Sequence, residues 1–319
     1  TGSTTAEFPI PGLAKVGFLT SDDVLELRET PESMIVLGAG PVAVELAQFF
    51  CRIGTQTTLV QRSDYILSKG DEDLACPVET RFREEGMEVY TGTKLLRVEK
   101  SRHGSTVFFS HEGKEKSANA SIILQALGRK PNIDGLNLSA ASVNVNQGRI
   151  EVDQEMRTNV PHIFAVGDVN GLHEIVHIAI DQGEIAAHNA TQEDTRQFDE
   201  RLKLSITFTD PPVASVGLSE KECQKLNILY LKATYPFDDH GKSLCLGETH
   251  GHVKLLCSPD SGEIIGAHVV GPEAGEIIHQ MVTLMHFRGT VHDLAKLPHY
   301  HPTLSEIFTY PAEELAQML

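Results

Sequence analysis

The run of residues 34–62, MIVLGAGPVAVELAQFFCRIGTQTTLVQR, constrains this chain more than any other stretch. Residues 34–37 are apolar and short enough for a buried strand, and Gly38, Gly40 and Ala43 follow as GxGxxA. An apolar periodic segment then reaches Ile53, Gly54 stops it, and residues 57–60 form a second strand-like run. Strand, glycine turn, helix and strand in this order deliver a dinucleotide pyrophosphate to a helix N-terminus. Gly38 permits the tight turn, Gly40 lets backbone approach phosphate, and the small Ala43 lets the helix pack close to the strand. GxGxxA alone is weak evidence, but between two strands and at a helix start it predicts nucleotide binding.

The end of that unit bears on which nucleotide. An NAD site usually carries an acid about 20 residues past the glycines, on the ribose 2′-hydroxyl. Here the second strand ends in Gln61, Arg62 and Ser63. A guanidinium matches phosphate in charge and fork geometry, so Arg62 favours the 2′-phosphate of NADP. The competing reading is an ordinary solvated arginine, which leaves NAD open.

At 319 residues the chain suggests two or three domains. A formal net charge of −17 argues against nucleic acid or an anionic membrane as partner. No apolar run approaches the length that crosses a bilayer, and no signal peptide is visible. The five cysteines show neither CxxC nor Cx4C spacing, and an odd, scattered set reads as reduced, buried thiols of a cytoplasmic protein.

Residues 1–12 show neither strand nor helix, and Thr20 to Asp23 suit the cap of a short helix over 24–27. Residues 72–85 predict an amphipathic helix closed by Gly86, and 87–90 the next strand. Residues 95–99 and 106–110 predict antiparallel strands joined around His103 and Gly104, with 121–124 another buried strand. Gly128 and Pro131 mark a boundary near residue 131. Beyond it, 148–152 predict a strand, 158–168 a turn into a buried strand ending on Asp168, and 175–191 a helix. A Gly-Asp pair there is usually just a turn, but a carboxylate beside a helix N-terminus also suits a ligand hydroxyl.

Residues 193–201 are linker-like, and Ser219 with Glu222 forms a capping box. Residues 205–208 and 213–216 flank Pro211-Pro212, and 228–235, 253–257 and 264–270 suggest an antiparallel sheet. Ile277, Ile278, Met281, Val282, Leu284 and Met285 line one side of a helix, as core or as a dimer surface. Near the C-terminus Pro302 suits a first helical position, leaving His301 at the cap. The helix dipole disfavours an imidazolium there while Glu306 favours it, and such opposed influences suit acid–base work near neutrality. A surface histidine beside a helix start is the plainer alternative. His250 and His252 read as a turn without companion thiolates, so no metal is expected.

Five motifs, GAGPVAVELA (38–47), ALGRKPN (126–132), TNVPHIFAVGDV (158–169), FTDPPVASVGLSE (208–220) and HPTLSE (301–306), stand in one order. In that order they resemble the flavoprotein pyridine nucleotide–disulfide oxidoreductases, which include dihydrolipoamide dehydrogenase, glutathione reductase and mercuric reductase. The resemblance implies an α/β fold: a Rossmann-like NAD(P)-binding domain over 21–131, FAD-domain segments over 1–20 and 132–198, and an α+β dimerisation domain over 199–319. It implies that Gly38, Gly40, Ala43 and Arg62 bind the nicotinamide nucleotide, with Glu45 near the nicotinamide and Arg129 on the same cofactor. Asp168, after Gly167, would hold the ribitol of FAD, and the helix that includes His177 would direct its start at the flavin. His301 would be the acid–base for a substrate thiol and Glu306 its orienting partner, both reaching the other subunit of a homodimer. GxGxxA with Gln61 and Arg62 resembles the glutathione and mercuric reductases, although Ser63 and Ser68 stand where glutathione reductase has further cations.

The family's leading FAD glycine motif and redox-active Cx4C pair do not occur here, and Thr1-Gly2-Ser3 matches the tail of its ATGS segment. The resemblance thus implies a fragment of a longer enzyme, with ~100–150 residues missing, or one without its flavin lobe. Met318-Leu319 brings no terminal cysteine pair of the mercuric reductase kind, which argues against mercury. The expected activity is FAD-dependent NAD(P)H:disulfide oxidoreduction on a disulfide or dithiol. The alternatives are a non-catalytic NAD(P)-binding and dimerisation module, or a flavin transhydrogenase or oxidase of the same fold.

Overall fold

The computed structural model describes residues 1–102 and 104–319. His103, in the turn expected between two strands, lies outside the described residues. The chain forms two compact units, one from Thr1–Phe8 with Gly128–Lys203, the other from Pro9–Leu127 with Leu204–Leu319.

The larger unit contains a four-stranded parallel sheet in the order Glu88–Tyr90, Gln56–Val60, Ser33–Leu37, Ile122–Gln125. Met34, Ile35, Val36 and Leu37 are fully buried, as a central parallel strand covered on both faces requires. The helix Pro41–Arg52 buries Ala43, Val44, Ala47 and Phe50, with Pro41 in its first turn. The helix Glu72–Glu84 tolerates Pro77 inside it because Leu74, Ala75, Val78 and Phe82 hold one face in the core. Lys94–Ser101 and Gly104–His111 pair antiparallel as expected. A third strand, Lys114–Ala120, completes that sheet, and its sequence KEKSANA is too polar to show a buried face.

The same unit carries a five-stranded antiparallel sheet in the order Leu204–Thr207, Val213–Gly217, Ile264–Val270, His252–Cys257, Leu231–Pro236. Ser219 and Glu222 form the expected capping box on the helix Glu220–Leu226, and the Asp71 carboxylate accepts from the Glu220 and Lys221 N–H groups at 3.0 and 3.1 Å. The single helix expected around residues 277–285 is two, Ala274–Ile277 and His279–His286, and Ile277, Ile278, Met281 and Met285 are core.

In the smaller unit, Ser3–Thr5 pairs antiparallel with Arg129–Pro131, where no N-terminal strand was expected. The strand over 148–152 shrinks to a hairpin of Val145–Asn146 and Arg149–Ile150. The buried strand expected before Asp168 forms only an isolated bridge, Arg157 to Phe164. A 3-10 turn, Gly167–Asn170, and the helix Val176–Thr191 follow. Met156, Ile178, Ile185, Ala186 and Phe198 form one core cluster. Among the described residues no helix is long and apolar enough to cross a membrane.

Candidate functional site

Gly38 has φ +104, and a Cβ there would stand 2.4 Å from the Ala126 carbonyl oxygen, so only glycine fits. Gly40 differs: its backbone is extended and a Cβ would meet nothing within 4 Å. It is the N-cap of the helix Pro41–Arg52, and no side chain caps that end. Unsatisfied N–H groups beside open space are a donor set that suits a pyrophosphate, and the buried Ala43 brings the helix close to its strand.

On the same helix Glu45 is half-buried, and its Oε1 accepts from the Phe208 N–H at 2.8 Å. Burial pushes its carboxyl above the usual range, and the Phe208 bond offsets only part of that. Gln48 clasps the next turn, accepting from the Asp210 N–H at 2.7 Å and donating to the Asp210 carbonyl at 2.8 Å. Sequence reasoning missed this clasp, whose partners lie 162 residues apart. Arg62 is exposed, and among the described residues no carboxylate pairs with its guanidinium, which leaves it available to a phosphate.

In the smaller unit Arg129, expected at the nicotinamide nucleotide, donates from Nε to Ser3 Oγ at 2.7 Å and from Nη2 to the Ser3 carbonyl at 3.0 Å. Ser3 Oγ in turn donates to Asp168 Oδ2 at 2.5 Å. Arg129 and Asp168 therefore share one network, and the second Asp168 oxygen has no protein partner among the described residues. Gly167 has φ +70, and its N–H donates to the buried Gln182 at 2.8 Å, which fixes the turn. His177 is exposed in the first turn of Val176–Thr191, a helix start without a side-chain cap. An acid with a spare oxygen near such a start fits a ligand hydroxyl.

His301 and Glu306 meet as expected. His301 Nδ1 lies 3.0 Å from Glu306 Oε2 and 3.2 Å from Oε1, and the Thr303 N–H donates to Oε1 at 3.1 Å. The His301 side chain is 75% exposed and that of Glu306 10%. Burial alone would raise the Glu306 carboxyl, but the bonds from His301 and Thr303 outweigh it and hold it below the ordinary range. With Nδ1 committed to the carboxylate, Nε2 is left to exchange a proton. The helical reading of Pro302 is corrected: regular structure starts only with the 3-10 turn Ser305–Phe308, ahead of the helix Thr309–Met318. No helix dipole acts on His301 from that position, and Glu306 is its dominant partner.

Other expectations change. Cys76 and Cys245 are exposed and Cys51 half-buried, leaving Cys223 and Cys257 as the buried thiols. His252 opens a strand rather than lying in a turn, 3.4 Å from Asp73. The oxygens of Asp71, Asp73 and Glu220 are close enough to share a metal ion. Lys254 Nζ, wholly buried, lies 2.8, 2.8 and 3.1 Å from the three and fills that role itself. Sequence reasoning missed this cluster too, because a lysine within a strand reads as solvated.

Residues 1–183 match the family described as pyridine nucleotide-disulphide oxidoreductase, and residues 204–312 match its dimerisation domain. The dihydrolipoyl dehydrogenase of Bacillus subtilis is 33% identical over 270 residues, which cover 85% of this chain and 58% of that protein. A mercuric reductase of Staphylococcus aureus is 34% identical over 271 residues, covering 85% and 50%. The chain thus spans about half to three fifths of the length of these curated relatives. The structure of LpdA from Mycobacterium tuberculosis superposes with a TM-score of 0.87 at 28% identity, covering 99% of this chain and 68% of that one. The HOCl-induced flavoprotein disulfide reductase RclA from Escherichia coli gives 0.86 at 25%, covering 98% and 72%. With more than half its length matched by one family and the remainder largely by that family's dimerisation domain, this chain belongs to the pyridine nucleotide-disulphide oxidoreductases.

Proposed function

We propose that this chain carries the nicotinamide-nucleotide site, part of the flavin site and the acid–base pair of an FAD-dependent NAD(P)H:disulfide oxidoreductase. The observation that carries the reading is His301, held at Nδ1 by a buried carboxylate while its exposed ring leaves Nε2 free. When bound, the two cofactors supply hydride transfer between nicotinamide and flavin and electron exchange with a disulfide. The chain's own residues bind and orient. The Gly38–Gly40 turn and the start of Pro41–Arg52 hold a pyrophosphate, and Arg62 takes the 2′-phosphate of NADP. Glu45 lies beside the nicotinamide. Asp168, braced by Ser3 and Arg129, offers its spare oxygen to the ribitol of FAD, with the helix start at His177 toward the flavin. His301 Nε2 gives or takes the thiol proton while Glu306 stabilises the imidazolium.

This reading assigns residues 21–131 to the nicotinamide nucleotide, 1–20 and 132–198 to the flavin, and 199–319 to dimerisation. The protein works as a cytoplasmic homodimer on a small-molecule or protein disulfide or dithiol, and His301 with Glu306 serves the partner's site. The test uses His301→Ala in the native gene product, with oxidised lipoamide and glutathione disulfide as probes. Reduction of bound flavin by NADPH keeps its rate, whereas reoxidation by the disulfide slows ~10²–10⁴-fold. Equal loss of both half-reactions would overturn the assignment.

A further inference from the structure

His240 is wholly buried at the start of the short helix Gly241–Leu246. Its ring stands edge to face with Phe237 at 6.4 Å and with Tyr310 at 6.3 Å. Nδ1 lies 2.9 Å from Ser243 Oγ, and Nε2, with no hydrogen-bond partner among the described residues, stands 3.6 Å from Glu306 Oε1. We propose that His240 is a positioning residue for the His301–Glu306 pair, steering the Glu306 carboxylate with its Nε2–H and so limiting how strongly that carboxylate holds a proton on His301. The proposal rests on the reading of those two residues given above.

Burial keeps His240 neutral against the pull of Glu306, and a charge on His301 disfavours its protonation further. A neutral imidazole has one N–H and one acceptor nitrogen. Donation from the Ser243 hydroxyl to Nδ1 puts the proton on Nε2, the nitrogen that faces the carboxylate. The other tautomer would set a lone pair against an anion. At 3.6 Å the contact is longer than a hydrogen bond. Swinging the carboxylate ~0.6 Å toward His240 makes it an ordinary N–H···O bond.

Glu306 is therefore shared between two imidazoles, and each donor that stabilises the anion lessens its demand on the other. The groups facing His240 leave that balance to one variable. Tyr310, on the helix Thr309–Met318, stacks at 4.0 Å on Tyr235, from the strand Leu231–Pro236. Burial raises both phenols, Tyr235 to about 12, so both are neutral near pH 7. Asp239, on the preceding turn, accepts from the Tyr235 hydroxyl at 3.0 Å. With Glu306 held ionised, His301 is the other imidazole that this carboxylate serves.

The test is histidine-labelled NMR on the 319-residue chain without cofactors. Long-range nitrogen–proton spectra of the unmodified chain should show His240 neutral with its proton on Nε2. A proton on Nδ1, or a charged ring at pH 7, would overturn the proposal. His240→Phe keeps the aromatic bulk and removes the donor, and should raise the His301 titration midpoint by about 0.5 units or more. His240→Gln restores an N–H and should bring the midpoint back to within ~0.2 units of the original. An unmoved His301 in His240→Phe sinks the idea. Should that variant fail to fold, Ser243→Ala frees the tautomer and must move His301 in the same direction, and no movement there counts equally against it. None of these readouts involves disulfide turnover, so they stand or fall apart from the half-reaction test of His301.

Discussion

Lys254 and His268 are directly opposite one another on neighbouring antiparallel strands, both buried, one charged and one neutral. Asp71, Asp73 and Glu220 surround the ammonium, and although burial alone would lower its proton affinity they raise it. His268 is hydrogen-bonded to none of these carboxylates, and the pull of Asp71 and Asp73 on its proton is outweighed. Its Nε2 lies 3.0 Å from the Leu218 carbonyl, its Nδ1 has no partner among the described residues, and burial together with the Lys254 charge pushes it down to about 4. The three carboxylates thus secure a cation in the sheet, and that cation helps keep the adjacent imidazole uncharged.

The sign of the resulting pH dependence follows from linkage. A group whose folded pKa is depressed contributes stability above its unfolded value and loses it as pH falls toward the folded one. For His268 the window runs from the ordinary histidine value of 6.5 down to about 4, and its contribution at neutral pH is on the order of 3 kcal/mol. Urea unfolding followed by tyrosine fluorescence should show stability falling through that window. His240, also depressed, adds to the fall. His268→Phe should remove most of the His268 share of the slope, and an unchanged slope would refute the assignment.

Lys254 also shows why part of the structure was not legible in the chain. Period-2 reasoning assigns a lysine between Val253 and Leu255 to solvent, but this strand is buried on both faces. Two of its three counter-ions lie 181 and 183 residues away and the third 34. The central parallel strands were legible because burial on both faces demands an unbroken apolar run, and the Ser219–Glu222 box because its partners are three residues apart. Ser3–Thr5 and Lys114–Ala120 were not, since an edge strand of polar residues has no pattern apart from the neighbour it pairs with. His301 and Glu306 were legible as a pair through their five-residue spacing. The backbone between them was not, because the Thr303 N–H bonds to the Glu306 side chain in a local turn that imitates a helix start.

The two glycines of the nucleotide turn should fail differently. Gly38→Ala sets a Cβ against the backbone oxygen of Ala126 at positive φ, and should cost about 2 kcal/mol or more of stability along with nucleotide binding. Gly40→Ala meets no atom and keeps an ordinary backbone, so stability should change by less than about 1 kcal/mol. Its added methyl occupies the space proposed for the pyrophosphate, and nucleotide affinity should still drop by about tenfold. Denaturation and nucleotide titration on both variants separate the effects. Equal destabilisation by the two would deny Gly40 its phosphate role.

The 2′-phosphate contact proposed for Arg62 would set the choice of nucleotide through charge alone. It is exposed and free of carboxylates among the described residues, so replacing it disturbs little of the fold. A guanidinium bond to a phosphate is charge-assisted but weakened here by solvent, which sets the expected loss for Arg62→Glu at about tenfold in NADP affinity. NAD has no 2′-phosphate for the new carboxylate to repel, and its affinity should stay within about twofold. Raising salt should narrow the difference between the original chain and the variant, because screening acts on the phosphate contact and not on the ribose. Fluorescence titration with both reduced nucleotides at two ionic strengths reads all of these. A parallel loss for NADPH and NADH, or a gap indifferent to salt, would place the discriminating residue elsewhere on the rim of this sheet.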